Sequence, residues 1–332
     1  MSSVTFTDIQ AAHQRIAAHI HQTPILESSL LNKWLGGHRI LFKAECLQKI
    51  GAFKIRGALN MLLKAQENGT LSTKVVASSS GNHAQAVAYA ANLLGVQATI
   101  YSAQTISSVK AAATRYYGAE LVLSTTRKEA DEQVKLAAQA ADTLWVPPFN
   151  HPDIMAGQGT VVLEALQQVG HVDGVFAPVG GGGLIAGSVI CLKHLYPQCE
   201  VVGVEPLLGN DAAQSRRNGS IHALTEAPVT LADGAATLAV GEHTFPFIQQ
   251  LHHISEVTER DIAYWTQWLQ HVLKIHVEPT CAMSMAGVCQ WLQTKTTPQT
   301  ILVVLSGGNI DQAKMLKVWQ DNYLDSLPSL LI

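Results

Sequence analysis

Short apolar runs rich in β-branched residues alternate along the chain with segments in which apolar positions recur every three or four residues. The runs predict buried strands, and the recurring positions predict helices that cover them. Glycine and proline separate many of these segments, as at Gly69, Gly95 and Pro147–Pro148. The predicted strands are Arg39–Cys46, Lys74–Ala77, Val96–Tyr101, Glu120–Leu123, Thr143–Val146, Gly174–Pro178, Glu200–Glu205 and Thr300–Leu305.

The predicted helices precede, separate and follow these strands. They are an amphipathic helix within Met1–Ile20, then Lys54–Glu67, Asn82–Leu94, Ser107–Tyr117, Lys128–Ala141, Asp153–Gln168, Leu184–Leu195, Glu259–Leu273, Thr280–Leu292 and a closing helix from Asp311. Repeated βα units favour open, mostly parallel sheets with helices on both faces. We therefore predict an α/β fold in which a small domain, residues 74–148, is inserted into a large one that comprises residues 1–73 and 149–332.

Composition narrows the class of protein. Of the 332 residues 47% are hydrophobic and 14% are charged, which excludes a disordered chain. The net charge of −3 offers no basic surface for nucleic acid. The first twenty or so residues lack the apolar core of a signal peptide, and no run is long enough to span a membrane. The five cysteines form no CxxC pair, so we expect neither disulfides nor a zinc site in a cytoplasmic enzyme.

A run of four glycines is the clearest chemical signal. Gly180, Gly181, Gly182 and Gly183 follow an apolar strand and precede a helix. Without Cβ atoms their amide N–H groups can turn toward a ligand, and the helix N-terminus adds its positive end. The run predicts a phosphate site, since a flexible hinge would not favour this strand–loop–helix position.

The same run permits a second interpretation. The spacing Gly181-x-Gly183-x-x-Ala186 fits a dinucleotide-binding fingerprint, and Glu205 ends the next strand where a ribose-binding acid would stand. On this interpretation the protein is a nicotinamide-dependent oxidoreductase. The fingerprint alone is a weak signal, and it leaves two further polar loops unexplained.

Those two loops are Ser78–His83 (SSSGNH) and Ser306–Asn309 (SGGN). Each follows an apolar strand and precedes a predicted helix, at the sheet edge where ligands bind in α/β proteins. Capping of a helix by Ser or Asn explains either loop singly. Three such loops together favour a ligand with several anionic or acceptor groups, such as an amino-acid carboxylate and a heteroaromatic ring.

Lys54 lies between Phe53 and Ile55 at a strand-to-helix transition flanked by Gly51 and Gly57. Most lysines are solvated surface residues. An ammonium group that is partly removed from water loses proton affinity, which a Schiff-base nucleophile requires. Lys54 is therefore the candidate nucleophile.

These motifs together carry a family resemblance. In chain order they are GAFKIRGA (51–58), SSSGNHAQ (78–85), PVGGGGLIAG (178–187), VEP (204–206), ADG (232–234), VEPT (277–280) and LSGGN (305–309). The set resembles the fold-type II pyridoxal-phosphate enzymes, whose fold is like that of tryptophan synthase β. It is most similar to their serine/threonine dehydratase and serine racemase family. The resemblance covers roughly residues 24–311, and the combination of motifs is far more specific than any one of them.

The resemblance implies that Lys54 binds pyridoxal 5′-phosphate covalently. The other cofactor contacts it implies are Phe53 and Gly234 at the two ring faces, Gly180, Gly181, Gly182 and Gly183 at the phosphate, Asn82 at the 3′-oxygen and Ser306 at the pyridine nitrogen. It also implies that the substrate carboxylate is bound by Ser79, Ser80, Asn82 and His83, and that Asn150 lines the substrate site.

The resemblance further implies a reaction type. A neutral Ser306 hydroxyl does not force protonation of the pyridine nitrogen, so the electron sink is weaker and β-elimination is favoured over transamination. We expect Lys54 to remove the Cα proton of L-threonine or L-serine and the β-hydroxyl to leave as water. Hydrolysis then gives a 2-oxo acid and ammonia.

Other activities remain open at this point. Ser80 matches a hydroxyl that reprotonates Cα in relatives that racemise serine, but dehydratases carry it too. Ala52, where many relatives have Ser, resembles members that act on threo-3-hydroxyaspartate. A cofactor-binding protein without turnover is a third alternative.

The resemblance also suggests a divalent cation and a partner. Glu205 and Asp211 would supply carboxylates and Gly209 a carbonyl to Mg²⁺, Mn²⁺ or Ca²⁺. Helix capping by Asn210 or Asp211 is the alternative. We expect a homodimer, without the nucleotide activation of relatives that have Lys-Thr where this chain has Lys49–Ile50. Since the chain ends soon after Ser306, we expect no effector-binding carboxy-terminal domain.

Overall fold

The structure is a computed structural model that describes residues 4–330. Its strands are β1 (Ile25–Glu27), β2 (Arg39–Lys43), β3 (Lys74–Ser78), β4 (Gln97–Ala103), β5 (Glu120–Ser124), β6 (Thr143–Trp145), β7 (Gly174–Pro178), β8 (Glu200–Pro206), β9 (His253–Val257) and β10 (Thr300–Val304). Its α-helices are α1 (Phe6–Ile16), α2 (Ser29–Trp34), α3 (Lys54–Glu67), α4 (Asn82–Leu93), α5 (Ser108–Tyr116), α6 (Arg127–Ala137), α7 (Pro152–Val169), α8 (Gly183–Leu195), α9 (Asp211–Asn218), α10 (Phe245–Ile248), α11 (Glu259–Leu273), α12 (Pro279–Ala282), α13 (Ser284–Leu292) and α14 (Gln312–Val318).

The strands form two sheets. The six-stranded sheet has the order β1-β2-β10-β7-β8-β9 and is parallel except for the antiparallel pair β1–β2. The four-stranded sheet has the order β5-β4-β3-β6 and is parallel throughout. The prediction of an α/β fold with two mostly parallel sheets flanked by helices is confirmed.

The core of the larger sheet follows from side-chain alternation. Val175 and Ala177 of β7 pack toward α7 and α8, whereas Phe176 packs on the other face with residues of α11 and α13. In β10, Leu302 packs on the same face as Val175, and Val303 packs on the same face as Phe176. Because successive residues of a strand point to opposite faces, an entirely apolar strand must be covered on both sides.

Several predicted elements differ from the structure, and the helix predicted over Lys128–Ala141 spans Arg127–Ala137. The strand from Arg39 ends at Lys43 instead of Cys46, and a 3₁₀ turn, Glu45–Leu47, follows. The helix predicted over Thr280–Leu292 is two helices, α12 and α13, because a 3₁₀-type bond from the Ala286 amide to the Met283 carbonyl tightens the chain between them.

The loop Ser306–Asn309 does not open a helix as predicted. Gly307 instead bridges to Ala52 in antiparallel fashion. Helix α14 begins later, at Gln312, where the Asp311 carboxylate caps the helix by accepting from the Lys314 amide at 2.8 Å.

The prediction missed several short or polar elements, among them β1, α2, β9 and α9. Strand β1 has three residues, and β9 contains His, Ser and Glu, so neither shows a long apolar run. None of the helices within residues 4–330 is long and apolar enough to cross a membrane. All five cysteines are free and buried.

Candidate active site

The site is an open cleft with a cavity volume of about 150 Å³, and the carboxyl ends of β3, β7 and β10 meet there. The lining comes from the three polar loops predicted above and from distant parts of the chain. The residues that line it are Phe53, Lys54, Ser79, Ser80, Gly81, Asn82, His83, Lys110, Arg127, Pro148, Phe149, Pro178, Gly180, Gly181, Gly182, Gly183, Leu184, Asp233, Gly234, Ala236, Thr237, Glu278, Thr280 and Ser306.

Lys54 is the first residue of α3 and points its amine into the cleft. The Nζ atom donates a hydrogen bond to the Pro148 carbonyl at 2.7 Å and lies 5.3 Å from the centre of the Phe53 ring. Burial of the amine, and secondarily the charge of Arg127, lowers the pKa of Lys54 to about 8. An appreciable share of this amine is therefore neutral near physiological pH.

The glycine run leads into α8, which begins at Gly183. Gly182 has φ +92°, a left-handed conformation that glycine adopts without strain. A Cβ atom on Gly181 would lie 2.2 Å from the Phe149 ring, so any side chain there would clash. The run thus presents backbone amides and a helix N-terminus to the cleft, as an anion site requires.

Thr237 stands beside this run and was not predicted from the sequence. Its hydroxyl is buried and has no hydrogen-bond partner among residues 4–330. Its methyl carbon would lie 3.6 Å from a Cβ atom built on Gly180. A buried hydroxyl without a partner next to an anion site is a donor available to a ligand.

The serine loop occupies the end of β3. Ser79 and Ser80 line the cleft, and His83 behind them is buried. One ring nitrogen of His83, Nε2, is 2.8 Å from the Val146 carbonyl. Burial, aided by the charge of Lys54, lowers the pKa of His83 to about 3, so the ring is neutral. His83 therefore orders the loop without adding a charge to it.

Asn82 and Ser306 face the cleft from opposite loops. The Asn82 amide nitrogen donates to both Glu278 oxygens, at 3.0 and 3.2 Å, and its carbonyl oxygen accepts from Asn309 at 2.9 Å. Ser306 is buried, and its backbone carbonyl accepts from the Phe53 amide at 3.0 Å. Glu278 and Asn309 thus fix the orientation of Asn82, a role that sequence reasoning missed although both residues lie in the motifs VEPT and SGGN.

Glu278 is a buried acid within the cleft. Burial, and secondarily the charge of Asp233, raises the pKa of Glu278 to about 7. Asp233 itself accepts from Lys110 and Lys314, each at 2.8 Å. Before the structure, only the motifs ADG and VEPT, which contain Asp233 and Glu278, pointed to this group.

Two sets of predicted site residues lie outside the cleft lining. The Asn150 side chain accepts from the His243 amide at 2.8 Å and supports the segment behind the glycine run. Glu205 and Asp211 lie at the end of β8 and the start of α9, with Gly209 in the turn between them.

The Glu205–Asp211 pair is buried and incompletely satisfied. Glu205 accepts from the amides of Ala212 and Ala213, at 3.2 and 2.7 Å, whereas the Oδ2 atom of Asp211 has no partner among the described residues. Burial raises the pKa of Glu205 to about 8 and that of Asp211 to about 7. In residues 4–330 no three His, Cys, Asp or Glu side chains group as a metal site, so a cation would need carbonyl and water ligands as well.

The cleft residues fit pyridoxal 5′-phosphate. They combine a desolvated lysine amine, a glycine run beside a Thr237 hydroxyl without a partner among the described residues, and a neutral Ser306 in the lining. The fold and the site together define a lysine-dependent cofactor enzyme of the α/β class.

Comparison with known proteins gives the family. Residues 16–307 match the family model described as pyridoxal-phosphate dependent enzyme, and the chain belongs to this family. It is similar to the L-threo-3-hydroxyaspartate ammonia-lyase of Saccharomyces cerevisiae, with 41% identity over 93% of this chain and 94% of the relative. It is also similar to the serine racemase of Rattus norvegicus, with 40% identity over 96% of each chain.

Among solved structures, a threonine deaminase from T.th. superposes with a TM-score of 0.87 at 42% identity, over 92% of this chain and 99% of that one. The chain is thus an enzyme that uses pyridoxal phosphate. The comparisons give no support to the nicotinamide-dependent alternative.

Proposed function

We propose that this enzyme dehydrates and deaminates a 3-hydroxy amino acid, L-threonine or L-serine, to a 2-oxo acid and ammonia. One observation carries the proposal: the Lys54 amine, with its lowered pKa, shares a cleft with the glycine run and the neutral Ser306. The similarity to a threonine deaminase and a hydroxyaspartate ammonia-lyase supports the same reaction class.

The side chains of the cleft have distinct roles in this reaction. When bound, pyridoxal phosphate supplies an electron-withdrawing ring that stabilises negative charge at the substrate Cα. Lys54 accepts the Cα proton, because its pKa of about 8 leaves neutral amine available. The loop of Ser79 and Ser80 binds the substrate carboxylate through hydroxyls and amides, and the glycine run holds the phosphate.

The reaction type depends on the group opposite the pyridine nitrogen. Ser306 would hold the ring nitrogen of the cofactor, and its neutral hydroxyl would not keep a proton there as a carboxylate would. The cofactor would then supply a weaker electron sink, which would favour loss of the β-hydroxyl. Elimination is therefore favoured over transamination.

Racemisation of serine is the second candidate. Ser80 lines the cleft together with Lys54, and its hydroxyl would serve as a second proton donor to Cα. A serine racemase is among the similar proteins. In our proposal racemisation accompanies elimination and is slower.

The test measures 2-oxo acid release from L-serine and L-threonine alongside chiral analysis of the residual serine. We expect 2-oxo acid release to exceed racemisation. Lys54→Ala should abolish both activities and the cofactor absorbance, whereas Lys64→Met, at a half-buried position of the same helix outside the cleft lining, should retain them. Racemisation faster than 2-oxo acid release would overturn the proposal, and binding of the cofactor without turnover would reject any enzyme activity on these substrates.

We also propose that Glu205, Asp211 and the Gly209 carbonyl bind a divalent cation, Mg²⁺, Mn²⁺ or Ca²⁺. The support is the buried Asp211 oxygen without a partner beside a second buried carboxylate. Adding Mg²⁺, Mn²⁺ or Ca²⁺ to metal-free protein should raise its Tm, by an amount that grows with concentration above Kd. Asp211→Asn should remove the increase, whereas Asp325→Asn, on a distant turn, should keep it; an equal increase in both variants contradicts the site.

The organisation of the protein is a further proposal. Residues 74–148 form an inserted domain, supported by a four-stranded sheet whose strands all come from residues 74–145. The enzyme is a cytoplasmic homodimer in this proposal. The free, buried cysteines are consistent with a reducing compartment, and light scattering on the purified protein tests the dimer.

A further inference from the structure

His83 and Lys54 contact two carbonyl groups of one short segment, residues 146–148, which follows β6. The Nε2 atom of His83 lies 2.8 Å from the Val146 carbonyl oxygen, and the Lys54 Nζ atom donates to the Pro148 carbonyl at 2.7 Å. Val146 is fully buried, and its amide donates to the Val76 carbonyl of β3 at 2.9 Å. The segment is therefore fixed at one end and meets the reactive amine at the other.

The two prolines of this segment make it stiff. Pro147 and Pro148 have no amide N–H, and each ring holds φ at about −65°. Neither proline can therefore anchor the segment through a donor of its own, and few torsion angles remain to absorb a shift. A displacement of the Val146 carbonyl is carried to the Pro148 carbonyl, which holds the amine.

The contact with Val146 also defines the tautomer of His83. A carbonyl oxygen only accepts, so Nε2 carries the proton and Nδ1 is a bare acceptor. The Nδ1 atom is buried and has no hydrogen-bond partner within residues 4–330. The neutral ring therefore offers the cleft an acceptor and no donor, whereas a substrate carboxylate needs donors.

The backbone of His83 suits that carboxylate better than its ring does. His83 is the second residue of α4, and the first amides of a helix have no acceptor within the helix. Together with the hydroxyls of Ser79 and Ser80 in the same lining, these amides supply donors to a carboxylate without the ring. The amide and the ring of His83 thus serve different partners.

We propose that His83 is a positioning residue for Lys54. Its ring holds the Val146 carbonyl, and the two prolines carry that position to the carbonyl that binds the amine. The amine is thereby kept where it can accept the Cα proton. This inference rests on the proposed elimination and adds no step to it, since the ring neither gains nor loses a proton. It also sets Lys54, in residues 1–73, relative to the four-stranded sheet of residues 74–148.

The test uses two amide side chains of different reach. The longer side chain in His83→Gln brings a donor to the position of Nε2, whereas the shorter one in His83→Asn reaches only the position of Nδ1. In the holoenzyme, kcat and KM are measured for 2-oxo acid release from L-serine and L-threonine. In His83→Asn we expect kcat to fall about 10- to 100-fold, as when a reacting group is slightly misplaced, and KM to stay nearly unchanged. His83→Gln should recover most of the wild-type kcat.

The control is His38→Asn, which changes another buried histidine whose ring bonds the backbone. The His38 Nδ1 atom accepts from the Gln299 amide at 3.1 Å, at the amino ends of β2 and β10 and away from the cleft. This variant should keep the wild-type kcat and KM. A higher KM with unchanged kcat in His83→Asn would assign the ring to the substrate carboxylate and overturn the inference. An equal loss of kcat in His83→Asn and His83→Gln would overturn it as well.

Cofactor uptake gives a second readout that does not depend on turnover. At saturating pyridoxal phosphate and fixed pH, the rate at which apoprotein regains its cofactor absorbance reports attack by the Lys54 amine. We expect this rate to fall in His83→Asn and to stay near the wild-type value in His83→Gln and His38→Asn. If neither amino acid yields a 2-oxo acid, the proposed elimination fails, while uptake still tests the position of the amine. Uptake at the wild-type rate in His83→Asn overturns the inference in either case.

Discussion

At the scale of single residues, the reactivity of Lys54 comes mainly from its removal from water. Burial favours the neutral amine, and the positive charge of Arg127 acts in the same direction, while Glu278 opposes both. The Pro148 carbonyl, 2.7 Å away, holds the amine in one place. Position and protonation state are thus controlled by different parts of the chain.

This environment predicts a pH dependence for cofactor uptake. Only the neutral amine attacks a carbonyl group, so the rate at which apoprotein regains its cofactor absorbance should rise with pH and be half-maximal near 8. In Arg127→Gln a nearby positive charge is lost, the pKa of Lys54 rises, and the midpoint moves to higher pH. A wild-type midpoint near 10.5, the ordinary value of a lysine, would contradict the role of burial.

At the scale of elements, a buried ionic group joins the helix of Lys54 to its neighbours. Arg56 of α3 donates to Glu45 through two nitrogens, each at 2.7 Å, and to Glu164 of α7 at 2.9 and 3.2 Å. Lys43 of β2 donates to Glu164 at 2.6 Å. Two positive and two negative charges are thus enclosed, and they fix the start of α3 relative to β2 and α7.

Replacing one member of this ionic group should destabilise the protein, because the remaining buried charges are no longer balanced. Glu164→Gln leaves two cations facing a single carboxylate, and we expect a loss of about 3–5 kcal/mol in the free energy of unfolding. The matched control is Glu27→Gln, whose exposed pair with Arg39 at 3.2 Å should contribute about 0–1 kcal/mol. Urea unfolding of the holoenzyme measures both, and equal losses would show that burial of the group is unimportant.

At the scale of the whole molecule, the cleft lies between the two sheets and is bridged at its edge. Lys110 on α5 belongs to the part of the chain that forms the four-stranded sheet, and it donates to Asp233 beside Gly234 at 2.8 Å. Lys314 on α14 donates to the same Asp233 oxygen at 2.8 Å but belongs, like Asp233, to the part outside residues 74–148. One of the two ion pairs therefore crosses the cleft and the other does not.

The two lysines provide a matched pair of variants. Lys110→Met removes the bridge, and we expect faster amide hydrogen exchange in α5 and a higher KM for the amino-acid substrate. Lys314→Met removes a positive charge next to the same Asp233 oxygen but keeps the Lys110–Asp233 ion pair. Amide hydrogen exchange in α5 should therefore stay as in the wild type. Equal acceleration in both variants would assign the effect to the charge of Asp233 instead of to the link between the sheets.

Local sequence patterns were sufficient to predict many of the helices and strands. The bounds of α3 and α11 match the predicted ones, because each has a complete amphipathic pattern and a clear start. The glycine run after an apolar strand does line the cleft, and its role in binding a phosphate stays a prediction. The predictions failed where an element is short or polar, as in β9, or where a loop pairs with a distant strand, as in the Ala52–Gly307 bridge.

The sequence by itself determined the α/β class and the parallel sheets, and it predicted Lys54 as the nucleophile, because periodicity and motif spacing are properties of neighbouring residues. Only the tertiary structure decided which charges meet. Residues far apart in the chain come together in the cleft. Arg127 lies there with Lys54, Asn82 contacts Glu278, and Lys110 pairs with Asp233. Their energies depend on distance and burial, which arise from packing and leave no signal in the spacing of residues.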